Sequence, residues 1–183
     1  MTEPTISLMW RPVAPRAGGP AISTSLTAAE AARLGELAED REVLEVGAAY
    51  GYSTVVLALA AASVVSVDPH AWLQSEPALR TNLDAYGVSA KVDVRVGASE
   101  GVLPAFAAEG RRFGLVWVDG DHRRPAIEQD VALAVPLLTT GGVLACHDFG
   151  ETTCPDVREV LRERFGEPHE LVDTLAIYRG LGS

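Results

Sequence analysis

The chain has 183 residues, 48% hydrophobic and 22% charged, and a formal net charge of −10 from 25 acids against 15 bases. A chain of this length folded as one domain buries roughly 70% of the surface it exposes when unfolded, and this composition excludes a disordered or fibrous protein. With no basic run longer than two arginines and no apolar run near the ~20 residues a membrane helix needs, a nucleic-acid partner and a membrane span are both disfavoured.

Residues 1–26 are rich in Pro, Gly, Ser and Thr without a sustained period, which predicts an arm or flexible lead-in. Within it, Met9 and Trp10 could dock on an active-site rim or a second subunit, or simply pack locally. No basic flank precedes an apolar core there, so a secretory signal is not expected. The expected location is cytoplasmic, with Cys146 and Cys154 as reduced thiols and Cys146 a core residue.

Residues 27–183 are expected to form a single domain. Thr27 and Glu30 make a capping box that opens a helix running to residue 39. Short β-branched runs follow at 42–47, 63–68, 91–96, 113–119 and 142–147, alternating with helical stretches near 52–61, 76–86, 99–108 and 124–138. Such alternation predicts an α/β fold with parallel strands and helices on both faces, and the strands are apolar enough to be covered on both sides. A last helix to about residue 165 precedes strands at 169–173 and 175–179, too close for a parallel crossover, so they form an antiparallel hairpin. The count is seven strands in a mostly parallel, Rossmann-like sheet.

Ligands of open α/β sheets bind beyond the carboxyl ends of the strands. Strand by strand, those ends carry Glu45 and Gly47; Asp68, Pro69 and His70; Gly97, Ala98 and Ser99; Asp119, Gly120, Asp121 and His122; His147 and Asp148. Asp68 stands 21 residues after Gly47, where a carboxylate can accept both hydroxyls of a ribose; the alternative is a helix cap or a loop acid. The dinucleotide pattern G-x-G-x-x-G fails, because Ala49 and Tyr52 stand where its later glycines would be. No phosphate-loop lysine motif is present either. What remains is E-x-G-x-x-x-G, whose acid repels a pyrophosphate and suits a cationic, phosphate-free cofactor.

The stretches LEVGAAYGYST, VDPH, GAS, FGLVWVDGDH and LLTTGGVLACHD, in this order, resemble class I S-adenosylmethionine-dependent methyltransferases, within them the catechol O-methyltransferase-like, small-molecule branch. The likeness covers about residues 27–179. It implies S-adenosylmethionine as cofactor. Gly47 and Ala49 would let the backbone approach its methionine part, Glu45 would lie near the ammonium, and Ser53 would bind the carboxylate. Asp68 would hold the ribose, Ala98 and Ser99 would border the adenine, and Tyr52 and Pro69 would be wall residues or packing. Trp72 could stack on adenine or stand exposed at a helix start, and Trp117 belongs to the core.

By the same likeness Asp119, His147 and Asp148 stand where metal-dependent relatives hold a divalent cation, and Asp119 is also a catalytic candidate that borders the cofactor. Those relatives use oxygen donors on the later strand, whereas His147 is a nitrogen donor. Magnesium or manganese is expected, imidazole shifting the preference away from magnesium. The alternative is that His147 and Asp148 only cap a loop. His122 takes the place of a catalytic lysine and would accept the acceptor's proton near its ordinary pKa, the alternative being a hydrogen-bonding bystander. Arg123, Arg124 and Pro125 depart from the tyrosine often found next in relatives. The expected reaction is O-methylation of a small molecule by an enzyme that could be a homodimer. Metal-independent or N-directed transfer, or cofactor binding without turnover, are the alternatives.

Overall fold

The computed structural model describes residues 10–182. Fifteen strands and α-helices follow one another: β1 (Arg11–Val13), β2 (Ile22–Thr24), α1 (Ala28–Ala38), β3 (Glu42–Val46), α2 (Tyr52–Ala60), β4 (Ser63–Asp68), α3 (Ser75–Ala85), β5 (Val92–Val96), α4 (Ser99–Ala108), β6 (Phe113–Val118), α5 (Arg124–Ala134), β7 (Leu138–Cys146), α6 (Pro155–Phe165), β8 (Glu170–Val172) and β9 (Leu175–Arg179). The main sheet runs β5-β4-β3-β6-β7-β9-β8. Strands β3 to β7 are parallel, and β9 pairs antiparallel with both β7 and β8. This is the seven-stranded Rossmann-like architecture that the alternation of periods predicts. The order reverses between β3 and β6, which makes their carboxyl ends the switch point.

Period-two alternation sorts the strand residues to the two faces. Val43, Leu115, Trp117, Val143, Ala145 and Ile177 join one core with Leu34 of α1, Leu57 of α2 and Leu79 of α3. Their neighbours Leu44, Val46, Val116, Val118, Leu144 and Cys146 join the opposite core with Leu103, Val131 and Leu161 of α4, α5 and α6. Trp117 and Cys146 are fully buried in these layers, as the apolar runs predict. Among the described residues no helix is long and apolar enough to cross a membrane.

The lead-in differs from expectation. Strands β1 and β2 form a small antiparallel sheet, with Arg11 opposite Thr24 and Val13 opposite Ile22. Ile22, Thr24 and Leu26 are buried, and the Tyr86 hydroxyl donates to the Pro20 carbonyl at 2.6 Å. A segment whose composition reads as loose is thus tied to the domain by a few apolar anchors too short to show a period. Met9 lies outside the described residues.

Candidate active site

Backbone hydrogen bonds one residue past each strand fix the tips at the switch point. Gly47 donates to the Val67 carbonyl at 2.9 Å, Asp119 to Val46 at 2.8 Å and His147 to Val118 at 3.1 Å. At Gly47 (φ 93°) a Cβ would stand 2.1 Å from the Asp119 carbonyl oxygen, so only glycine lets these two tips meet. At Gly51 (φ 89°) the same atom would meet Leu79 at 2.4 Å.

The acids of the first two strands turn inward. Because Glu45 shares a face with Val43, its carboxylate points under α2, and it is 0% exposed. Ser53 donates to one oxygen at 2.6 Å, while Thr54 and Ser66 donate to the other at 2.7 and 2.6 Å. Burial raises its pKa to about 7 against the pull of those hydroxyls. Glu45 and Ser53 were expected at the methionine end of the cofactor; the structure engages them with each other, as a clasp beneath the loop. Asp68 likewise accepts N–H groups from Ala48 (2.7 Å) and Ala49 (2.9 Å) on one oxygen and from His70 (2.5 Å) on the other. It holds the loop that carries Ala49, whose φ of 47° is unusual for a residue with a side chain.

The adenine-side candidates divide. Ala98 is half-buried at the N-cap of α4, whereas Ser99 is buried and its hydroxyl donates to Asp130 of α5. Tyr52 is 5% exposed and joins the core beside α1 and α3, while Pro69 is exposed. Trp72 is 49% exposed, yet it is not alone: its ring centroid lies 5.2 Å from Trp10 and 6.1 Å from Tyr50. Trp10 also meets Tyr50 edge-on at 6.0 Å, so the lead-in docks on the glycine-loop aromatic.

The tips of β6 and β7 behave differently. One ligand atom each from Asp119, His147 and Asp148 lies within 4.8 Å of the other two. Asp148 adopts φ 58°, a left-handed turn that aspartate tolerates and that folds its carboxylate back over the strand end. His147 Nδ1 sits 3.4 Å from Asp119 and 3.2 Å from Asp148, and His122 Nε2 sits 2.8 Å from Asp148 and 3.6 Å from Asp119. None of these four contacts is aligned as a hydrogen bond: both nitrogens are buried without a partner. Buried polar atoms are normally paired, so two orphans aimed at two carboxylates mark a place built for something else.

Charge follows from this crowding. Burial opposes a proton on His122, but Asp119 and Asp148 outweigh it and raise its pKa to about 11. His147 is also raised well above its usual range, burial again being outweighed by Asp119, Asp148 and Glu30. Asp148 is held well below the carboxylate range: burial would raise it, and the two imidazoles more than reverse that. The expectation of an ordinary histidine pKa at His122 is therefore corrected: left to these carboxylates, it is a cation at neutral pH.

Sequence reasoning missed Glu30. Its T-x-x-E spacing reads as a capping box, and the box is present: Glu30 N–H donates to Thr27 Oγ1 at 3.1 Å and Thr27 N–H to Glu30 Oε2 at 2.8 Å. But Glu30 is also 1% exposed, accepts from Thr174 N–H and hydroxyl at 2.8 Å each, and approaches His147 Nε2 at 3.3 Å. Burial would raise its pKa, yet His147, Thr27 and Thr174 bring it down to about 2. Asp121, by contrast, pairs with Arg123 at the surface, and Arg124 binds Asp156 and Glu163, so this run braces the loop and α6.

Comparison with known proteins accords with this layout. A methyltransferase-domain family matches residues 44–149. A catechol O-methyltransferase of Mycobacterium tuberculosis is 33% identical over 188 aligned positions, 86% of this chain and 81% of the relative. Another, from Niastella koreensis, is 31% identical over 57% of this chain, and that match spans about half (49%) of the relative's length. Among solved structures, cofactor-bound Rv0187 from MTB superposes with a TM-score of 0.72 at 26% identity, covering 91% of this chain and 85% of the other. The O-methyltransferase TomG from Streptomyces achromogenes, in complex with SAM, gives 0.62 at 27% identity over 75% and 66%. The chain belongs to the class I S-adenosylmethionine-dependent methyltransferases, in their catechol O-methyltransferase-like branch, with S-adenosylmethionine as its cofactor.

Proposed function

We propose that the chain transfers the methyl group of S-adenosylmethionine to a hydroxyl oxygen of a small molecule, at a site where Asp119, His147 and Asp148 hold a divalent cation. The observation that carries this reading is the convergence of those three donors around a buried His147 nitrogen that has no partner. Carboxylates that draw protons onto two imidazoles would draw a divalent cation in their place. When bound, such an ion lowers the pKa of a coordinated hydroxyl, which matters because a free phenol near pKa 10 stays protonated at pH 7. The mixed oxygen and nitrogen set favours manganese over magnesium.

Each residue then has a task. Glu30 fixes the tautomer and orientation of His147 through Nε2, as outer-shell carboxylates do for metal-ligating histidines. His122, 40% exposed, is the member of the cluster that reaches solvent and accepts the acceptor's proton. It can do so only as a neutral imidazole, which requires that Asp119 and Asp148 spend their charge on another cation. Metal and base are thus one hypothesis. Asp68 and the Gly47 loop position the donor, and the cluster of Trp10, Tyr50 and Trp72 beside that loop offers apolar surface suited to a flat aromatic acceptor. The names of the catechol O-methyltransferase relatives support a phenolic class, and the charge of −10 disfavours nucleic acid.

The test is methyl transfer to a catechol by chelator-treated protein, with Mg²⁺, Mn²⁺ or Zn²⁺ added back. Activity that vanishes on stripping and returns with Mn²⁺ is expected; full turnover without metal refutes the cation. Asp68→Ala is expected to abolish S-adenosylmethionine binding in calorimetry, and normal binding would remove Asp68 from the donor site.

A further inference from the structure

Beside the proposed cation site lies a second set of donors, which shares His122 and Asp148 with methyl transfer and adds a sulfur that methyl transfer does not use. His122 Nε2, a carboxylate oxygen of Asp148 and Cys154 Sγ lie within 4.8 Å of one another. They come from three separate pieces: the loop after β6, the tip of β7 and the N-cap of α6. The imidazole nitrogen is buried without a hydrogen-bond partner. Cys154 is half-buried, and its sulfur meets the Thr153 hydroxyl at 3.7 Å. Burial raises the thiol's pKa, so the sulfur would bind by exchanging its proton for the ion.

One nitrogen, one oxygen and one sulfur are the donors of a borderline-soft cation. Zinc binds such sets at about 2.0–2.3 Å, often with three protein ligands and one open position. The neighbouring set of Asp119, His147 and Asp148 has two carboxylates and no sulfur, and suits harder ions. Asp148 belongs to both.

We propose that His122, Asp148 and Cys154 form a second, thiolate-containing cation site for zinc-class ions, which competes with the methyl-transfer site through Asp148. On binding, sulfur, nitrogen and oxygen each form a bond to the ion, and the thiol releases its proton to solvent. The ion takes the His122 lone pair and a carboxylate away from methyl transfer, so zinc inhibits where manganese supports. The site does not depend on the proposed reaction, because sulfur ligation has its own signature.

The experiment titrates the full chain, reduced and chelator-stripped, with Co²⁺ and then Zn²⁺. A cobalt–thiolate charge-transfer band in the near ultraviolet is expected, discharged by Zn²⁺ and absent in both Cys154→Ser and Cys154→Ala. Loss of this direct ligand should weaken Zn²⁺ by no less than the ~10–100-fold that outer-shell losses cost. A wild-type protein without the band, or a band that persists in folded Cys154 variants, overturns the proposal. Metal-independent methyl transfer would defeat the proposed function while leaving the band in place.

Discussion

The two halves of the switch point solve opposite problems. Around the first two strand tips every buried acid is satisfied by the protein itself: Glu45 by three hydroxyls, Asp68 by three backbone N–H groups. Around the tips of β6 and β7, two acids and two imidazoles crowd together and two ring nitrogens go unpaired. The first arrangement makes a rigid frame that holds a loop in left-handed turns. The second stores unmet interactions, which is what a site keeps for a ligand. His70 Nε2 beside the second tip is buried without a partner too, so what sets the later tips apart is two such nitrogens facing the same two carboxylates.

The comparison can be broken by substitution on either side. Gly47→Ala is expected to have the largest effect, about 4 kcal/mol from positive-φ strain and the clash with the Asp119 carbonyl, read as a collapse of the urea midpoint and of donor binding. His122→Ala should spare S-adenosylmethionine binding in calorimetry and lower kcat about 10²–10⁴-fold, as the loss of a general base does. Unchanged kcat would return His122 to the frame.

Glu45 gives a pH signature. Its folded pKa of about 7 lies above the unfolded value of 4.5, so the folded state holds a proton more tightly. The stability it contributes is fully present below about pH 4.5 and is lost as pH rises through about 7, on the order of 3 kcal/mol in all. Urea melts of wild type should weaken from about pH 5 to about pH 8, with Glu45→Gln flatter; parallel curves would show that the clasp does not titrate. The smallest expected effect is at Glu30→Gln, a ~10–100-fold loss of Mn²⁺ affinity measured by metal titration. An unaltered affinity would reduce Glu30 to a helix cap.

Strand–helix alternation and the glycine loop were readable in the chain because each rests on a local rule, period two or 3.6 and a turn that only glycine fits, whereas the three donors were expected from the likeness to metal-dependent methyltransferases. The hairpin of β1 and β2 was not, since three-residue strands carry too little pattern. Nor was the link from Glu30 to His147, which spans 117 positions and exists only because β7 and β9 bring Thr174 and His147 under the start of α1. The inward turn of Glu45, the orphaned nitrogens and the proton held on His122 follow from distances between side chains that strand order sets. Residue types and spacing determined which groups reach the sheet's mouth; three-dimensional packing decided which of them are satisfied there, because burial and a neighbour within a few ångströms fix a group's charge and partners.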